Sequence, residues 1–180
     1  MLPRLFEDGS VQHELGQRLE AIDPRIKWEA GPDGAGAFLA FSPNRYDDLL
    51  LVTEGLAETM PDIPGWRFLG AKPRKQWTVR KVALGGVECV FDDWRYRLVS
   101  FKGGEFFDVD LFTLDDSLDD AQRARLGMFL VLSELGERLF MRAVDRVNVS
   151  VHPEAGQSTI EIDSLHDQIT ELLREPALRA

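Results

Sequence analysis

The chain reads as an α+β protein, a largely antiparallel sheet packed against a long buried helix with further helices at its flanks. Three observations predict this. Strand-like segments follow one another without intervening helices. Trp94 to Phe112 have the pattern of a hairpin around Gly103-Gly104. The run Gly127-Met-Phe-Leu-Val-Leu132 is apolar around most of a helix's circumference. With 180 residues, 44% hydrophobic and 29% charged, residues 1–180 are read as one domain able to bury a core.

Val11, Leu15, Leu19 and Ile22 recur at helical spacing between Ser10, the expected N-cap, and the stop Asp23-Pro24. Ile26 and Trp28 alternate with charged residues as a half-buried strand does, and the turn Gly31 to Gly36 leads into a second strand, Ala37 to Phe41. A second helix buries Tyr46, Leu49, Leu50, Thr53, Leu56 and Met60, and Pro61 and Pro64 end it. Trp66 to Ala71, Trp77 to Leu84 and Val87 to Phe91 supply three strands, the last two separated by Gly85-Gly86.

In the hairpin that follows, a turn centred on Gly103-Gly104 pairs Lys102 with Glu105, Leu98 with Val109, Arg97 with Asp110 and Tyr96 with Leu111. One face is then Trp94, Tyr96, Leu98, Phe107, Val109 and Leu111. The other carries Arg95, Arg97, Asp108 and Asp110, whose opposite charges are expected to form solvated cross-strand pairs. Ser117 and Asp120 have capping-box spacing ahead of a long helix, Leu118 to Ala143. Val147, Val149 and Val151 alternate as another strand, Ser158 to Ile162 follow as a short one, and Ser164 with Asp167 caps a terminal helix stopped near Pro176.

Cys89 is alone, so no internal disulfide and no cysteine zinc site are available, and its apolar setting predicts a buried, inert thiol. The N-terminal residues have no apolar signal core, and no apolar stretch approaches the roughly 18 residues of a membrane span. A soluble, cytoplasmic protein that does not enter the membrane is expected. The net charge of −10 disfavours nucleic-acid binding, which draws its affinity from Lys and Arg on phosphates. That charge is unevenly spread: Ile63 to Val87 contain no acid, while Arg67, Lys72, Arg74, Lys75, Arg80 and Lys81 make a basic strip.

Phe38-Leu-Ala-Phe-Ser-Pro-Asn44, a helix, then Met60-Pro-Asp-Ile-Pro-Gly-Trp-Arg-Phe-Leu-Gly-Ala-Lys-Pro-Arg74, and Leu135-Gly-Glu137 late in the long helix carry a resemblance that spans about two thirds of the chain. They resemble a group of small uncharacterised bacterial proteins with an "iPGW…kPR…LGE" pattern, Ile63-Pro-Gly-Trp66 being the most specific piece. The resemblance implies a shared α+β architecture and a bacterial source, and no mechanism.

Motifs for catalysis are incomplete. Asp108-Val-Asp110 follows a hydrophobic strand as a phosphatase nucleophile motif does, but Phe112 stands where Thr or Val is needed. His13-Glu14 has Gln17 where a zinc-protease helix carries its second histidine, and His152 and His166 are isolated. Asp115, Asp116, Asp119 and Asp120 lack the alternation of a calcium loop and suit a helix N-terminus instead. No phosphate-binding glycine loop and no nucleophile elbow occur. Glu134 and Arg138 are spaced for an i,i+4 pair, and Glu134 with Glu137 form a carboxylate pair that lacks a histidine or third acid. No metal or cofactor is implied.

The functional candidates are therefore Trp66, Lys72, Arg74, Lys75, Trp77, Arg80 and Lys81, a cationic edge with indoles suited to an anion or acidic segment, with Glu134 and Glu137 as lesser carboxylate candidates. The leading expectation is a non-catalytic protein-binding module, immunity-, inhibitor- or adaptor-like, whose acidic surface meets a basic protein partner. The alternative is a small-molecule or anion-binding enzyme or sensor using the strip at 72–81. A homodimer through a sheet edge or apolar helix face is the further partner considered.

Overall fold

The structure, a computed structural model, describes residues 8–174. The helix stop expected at Pro176 and the residues preceding Asp8 lie outside this range. Among the described residues five helices and three mostly antiparallel sheets give the α+β class expected from the sequence, although the strands divide among three sheets instead of joining one. The chain forms two units, one up to Pro73 and one from Arg74 onward.

In the first unit, Asp8 caps helix α1 (Gly9–Ile22) by accepting the Ser10 amide at 2.9 Å, so the N-cap lies two residues before the expected Ser10. Strands β1 (Lys27–Asp33) and β2 (Gly36–Ser42) form the expected hairpin, with β1 running on through Gly31 and Pro32. Helix α2 (Asp47–Thr59) then crosses back, so that β3 (Trp66–Leu69) lies parallel to β2. A helix-length connection is what a parallel pair requires. Leu19, Ile26, Leu39, Phe41 and Leu49 make the core. Buried Thr53 ties α2 to the chain after β3, its hydroxyl donating to the Gly70 carbonyl at 2.6 Å.

The second unit holds a small hairpin, β4 (Lys81–Leu84) with β5 (Val87–Val90), and a four-stranded sheet. Trp77 to Arg80, expected as the start of a strand, are irregular, for reasons that belong to the site below. Strands β6 (Arg95–Phe101) and β7 (Phe106–Phe112) pair in the register the turn predicts, Leu98 opposite Val109, Arg97 opposite Asp110 and Tyr96 opposite Leu111. Of the face expected to turn inward, Trp94, Tyr96, Phe107, Val109 and Leu111 are buried and Leu98 is half-buried.

The long helix is two helices. α3 (Asp120–Leu135) starts from a capping box in which Asp119 accepts the Gln122 amide at 2.7 Å and Gln122 accepts the Asp119 amide at 2.8 Å, in place of the expected Ser117 with Asp120. It stops at Gly136, whose φ of 73° and ψ of 155° only glycine adopts easily, and α4 (Glu137–Ala143) follows. Strand β8 (Val144–Ser150) then lies parallel to β7, a second crossover through helices. Strand β9 (Ile160–Glu161) adds only two residues beside β6, and α5 (Leu165–Arg174) closes the unit. Ser164 ends a 3₁₀ turn, Ile162–Ser164, that runs directly into α5, and its hydroxyl meets Tyr96 Oη at 3.0 Å. Gly127 brings α3 onto the sheet: a methyl there would collide with Val149 and Leu111. Among the described residues no helix is long and apolar enough to cross a membrane.

Candidate functional site

Residues 74–80 carry most of the basic candidates, and they lie along α3. The Lys75 amide donates to the Ser133 carbonyl at 2.8 Å, satisfying one of the acceptors a helix leaves open in its last turn. Trp77 packs edge-on against Phe91 and Phe129, with ring centroids 6.3 and 6.2 Å apart, and the Lys75 ammonium stands 5.9 Å from the Phe129 ring centre. The Lys75 amide and part of the Trp77 ring packing are thus given to α3, and the alternation through Trp77 to Arg80 does not become a strand.

The charges converge on Glu134. Its side chain is 0% exposed, and Arg80 Nε donates to Oε1 at 2.8 Å while Arg74 Nη2 stands 3.6 Å from Oε2. Arg80 also reaches Asp163, ahead of α5, at 2.7 Å. Burial works to lower the Arg80 pKa, yet its hydrogen bond to Glu134 and the charges of Glu134, Asp163 and Asp92 outweigh that and raise it above its ordinary value. The i,i+4 pairing expected between Glu134 and Arg138 assumed one continuous helix; Gly136 interrupts it, and Glu134 turns to the strip. The same break separates Glu134 from Glu137. Glu137 is buried as the first residue of α4, where the helix dipole favours a carboxylate. Three-residue spacing therefore does not put the two acids on one helix face.

The remaining strip candidates have other neighbours. Lys81 binds Glu88 across the β4–β5 hairpin at 2.7 Å, and this hydrogen bond holds the Glu88 carboxyl below its usual range. Trp66 stacks on Phe68 at 6.1 Å within the first unit, where Lys72 is half-buried. The structure thus gathers Arg74, Lys75, Trp77, Arg80 and Glu134 into one network within the second unit and places Trp66 and Lys72 in the first. Sequence reasoning missed Asp163 and Ser133 as members. Both are brought in by long-range packing, and no local spacing signals either.

Two buried polar atoms of this network have no hydrogen-bond partner, Trp77 Nε1 and Glu134 Oε2. A third, Asp108 Oδ1, lies on the sheet. Asp110 is the cross-strand pair expected, bound by Arg97 at 2.5 Å and by Asn148 Nδ2 at 2.8 Å. Asp108 departs from that expectation because its register partner is Val99, and Arg95 pairs with Glu161 at 2.6 Å. Cys89 is buried, and desolvation pushes its thiol up to about 11. His166 meets its neighbour Asp167 at 2.9 Å, and no group of His, Cys, Asp and Glu among the described residues is arranged to hold a metal.

No family model matches the sequence, and comparison with curated proteins and with solved structures finds no match.

Proposed function

We propose that the protein is a non-catalytic binding module whose acidic exterior receives a basic segment of a partner protein. The observation that carries this reading is the outer face of α2. The helix contains Asp47, Asp48, Glu54 and Glu58 and no Lys, Arg or His, and among these acids Leu51 is 80% exposed. Asp48 is bound by Arg25 at 2.9 Å, and the exposed leucine sits on a helix whose own charges are all acidic, which suits a partner that offers both cations and an apolar anchor. The strip supports the same reading by what it makes harder. Arg74 and Arg80 are engaged by Glu134 and Asp163, so an anion seeking them would have to displace a buried carboxylate.

A synthetic amphipathic peptide of Lys and Leu, titrated into the full chain by NMR, tests the reading. Saturable shifts along Asp47–Thr59 are expected, weakening as salt passes about 0.15 M, where the screening length falls to roughly 8 Å. Leu51→Ser should weaken binding by about tenfold or more. Salt-insensitive binding, or binding untouched by Leu51→Ser, would sink it.

A further inference from the structure

The second unit contains a cleft of about 340 Å³, within the range of small-molecule sites, lined by Glu105, Phe106, Arg142 and Leu173. Glu105 and Phe106 come from the hairpin connection and the start of β7, Arg142 from the last turn of α4, and Leu173 from the end of α5. Among the described residues its lining is one carboxylate, one guanidinium, one aromatic and one aliphatic side chain. Among the described residues neither the Glu105 nor the Arg142 side chain takes part in an ion pair or hydrogen bond, so the two opposite charges border one cleft without neutralising each other. The aromatic wall is held in place. Phe101 stacks on Phe106 at 6.3 Å with an interplanar angle of 20°, and the Lys102 ammonium sits 4.8 Å from the Phe106 ring centre.

An anion alone would face Glu105, and a cation alone would face Arg142. A small molecule with both charges and an apolar group satisfies every wall. We infer that the cleft binds an α-amino acid with an apolar or aromatic side chain. Glu105 takes the ammonium, Arg142 takes the carboxylate through its planar fork, and Phe106 with Leu173 cover the side chain. This site is independent of the α2 surface and of the Glu134 network.

The test titrates the full chain with L-phenylalanine and L-leucine, up to about 10 mM, and follows amide shifts by NMR. Saturable shifts at residues 102–106 and at the ends of α4 and α5 are expected. N-acetyl-phenylalanine, which lacks the ammonium, and phenylalanine amide, which lacks the carboxylate, should each bind about tenfold or more weakly. Arg142→Gln should weaken phenylalanine and leave the amide unchanged; Glu105→Gln should weaken phenylalanine and leave the N-acetyl form unchanged. Both side chains are exposed, so the variants keep the fold, which their spectra report directly. Absence of saturable shifts at the cleft, equal binding of the blocked ligands, or equal effects of each variant on all three ligands would overturn the assignment.

Discussion

Glu134 places a buried charge inside the second unit. A carboxylate with no exposed surface is costly to bury, and here it is offset by two guanidiniums that arrive from 54 and 60 residues away in the chain. Removing the acid while keeping the arginines leaves both cations partly buried without their buried carboxylate, Arg80 keeping the exposed Asp163. Glu134→Gln is therefore expected to lower stability by about 3 kcal/mol, the low end for a broken buried pair because Arg80 and Arg74 keep 21% and 37% exposure. Urea denaturation measures this, and a loss under about 1 kcal/mol would show that the pair is dispensable. Replacing Glu134 and Arg80 together by methionine should cost less than the sum of the single changes, since neither charge is then stranded.

At the scale of elements, what was legible was what local chemistry sets. The β6–β7 register follows from the turn: Gly103 and Gly104, at φ of 71° and 92°, adopt the left-handed backbone such a connection needs, and the period of two then assigns every inward side chain. The α3–α4 break was not legible, because Leu139 and Phe140 carry the apolar pattern straight through Gly136 and a glycine is tolerated inside a helix. The parallel pairings of β3 and β8, and the diversion of Trp77 to Arg80 onto α3, depend on contacts with distant residues that periodicity does not report. For the same reason, the strip and Glu134 were each picked out but not joined. Gly136→Ala tests the break. A side chain at φ 73° and ψ 155° is strained, so a loss of about 1–3 kcal/mol is expected in thermal or urea unfolding. A neutral result would mean that the two helices can fuse without harm.

Over the whole molecule, the net charge of −10 makes pH the variable to which stability should respond most. Two effects oppose each other. Self-repulsion among carboxylates is greatest at neutral pH and declines as they protonate. Against it stand carboxylates whose partners hold their pKa values down: Glu161 through the hydrogen bond from Arg95, Glu88 through that from Lys81, and Asp23 through that from Arg25. For such groups the unfolded chain binds protons more readily than the folded one. Their stabilisation is complete above the unfolded values, 4.5 for Glu and 3.8 for Asp, and is lost as pH falls through the lower folded values. Stability should therefore rise gently from pH 7 toward pH 5 as repulsion eases, and then fall below about pH 4 as the paired acids protonate. Added salt should flatten the rise, because it screens exposed charge. NMR titration of the Glu161 carboxyl should place its pKa below 4.5 and return it toward that value in Arg95→Gln, whereas a midpoint unmoved by the substitution would remove Arg95 as the cause.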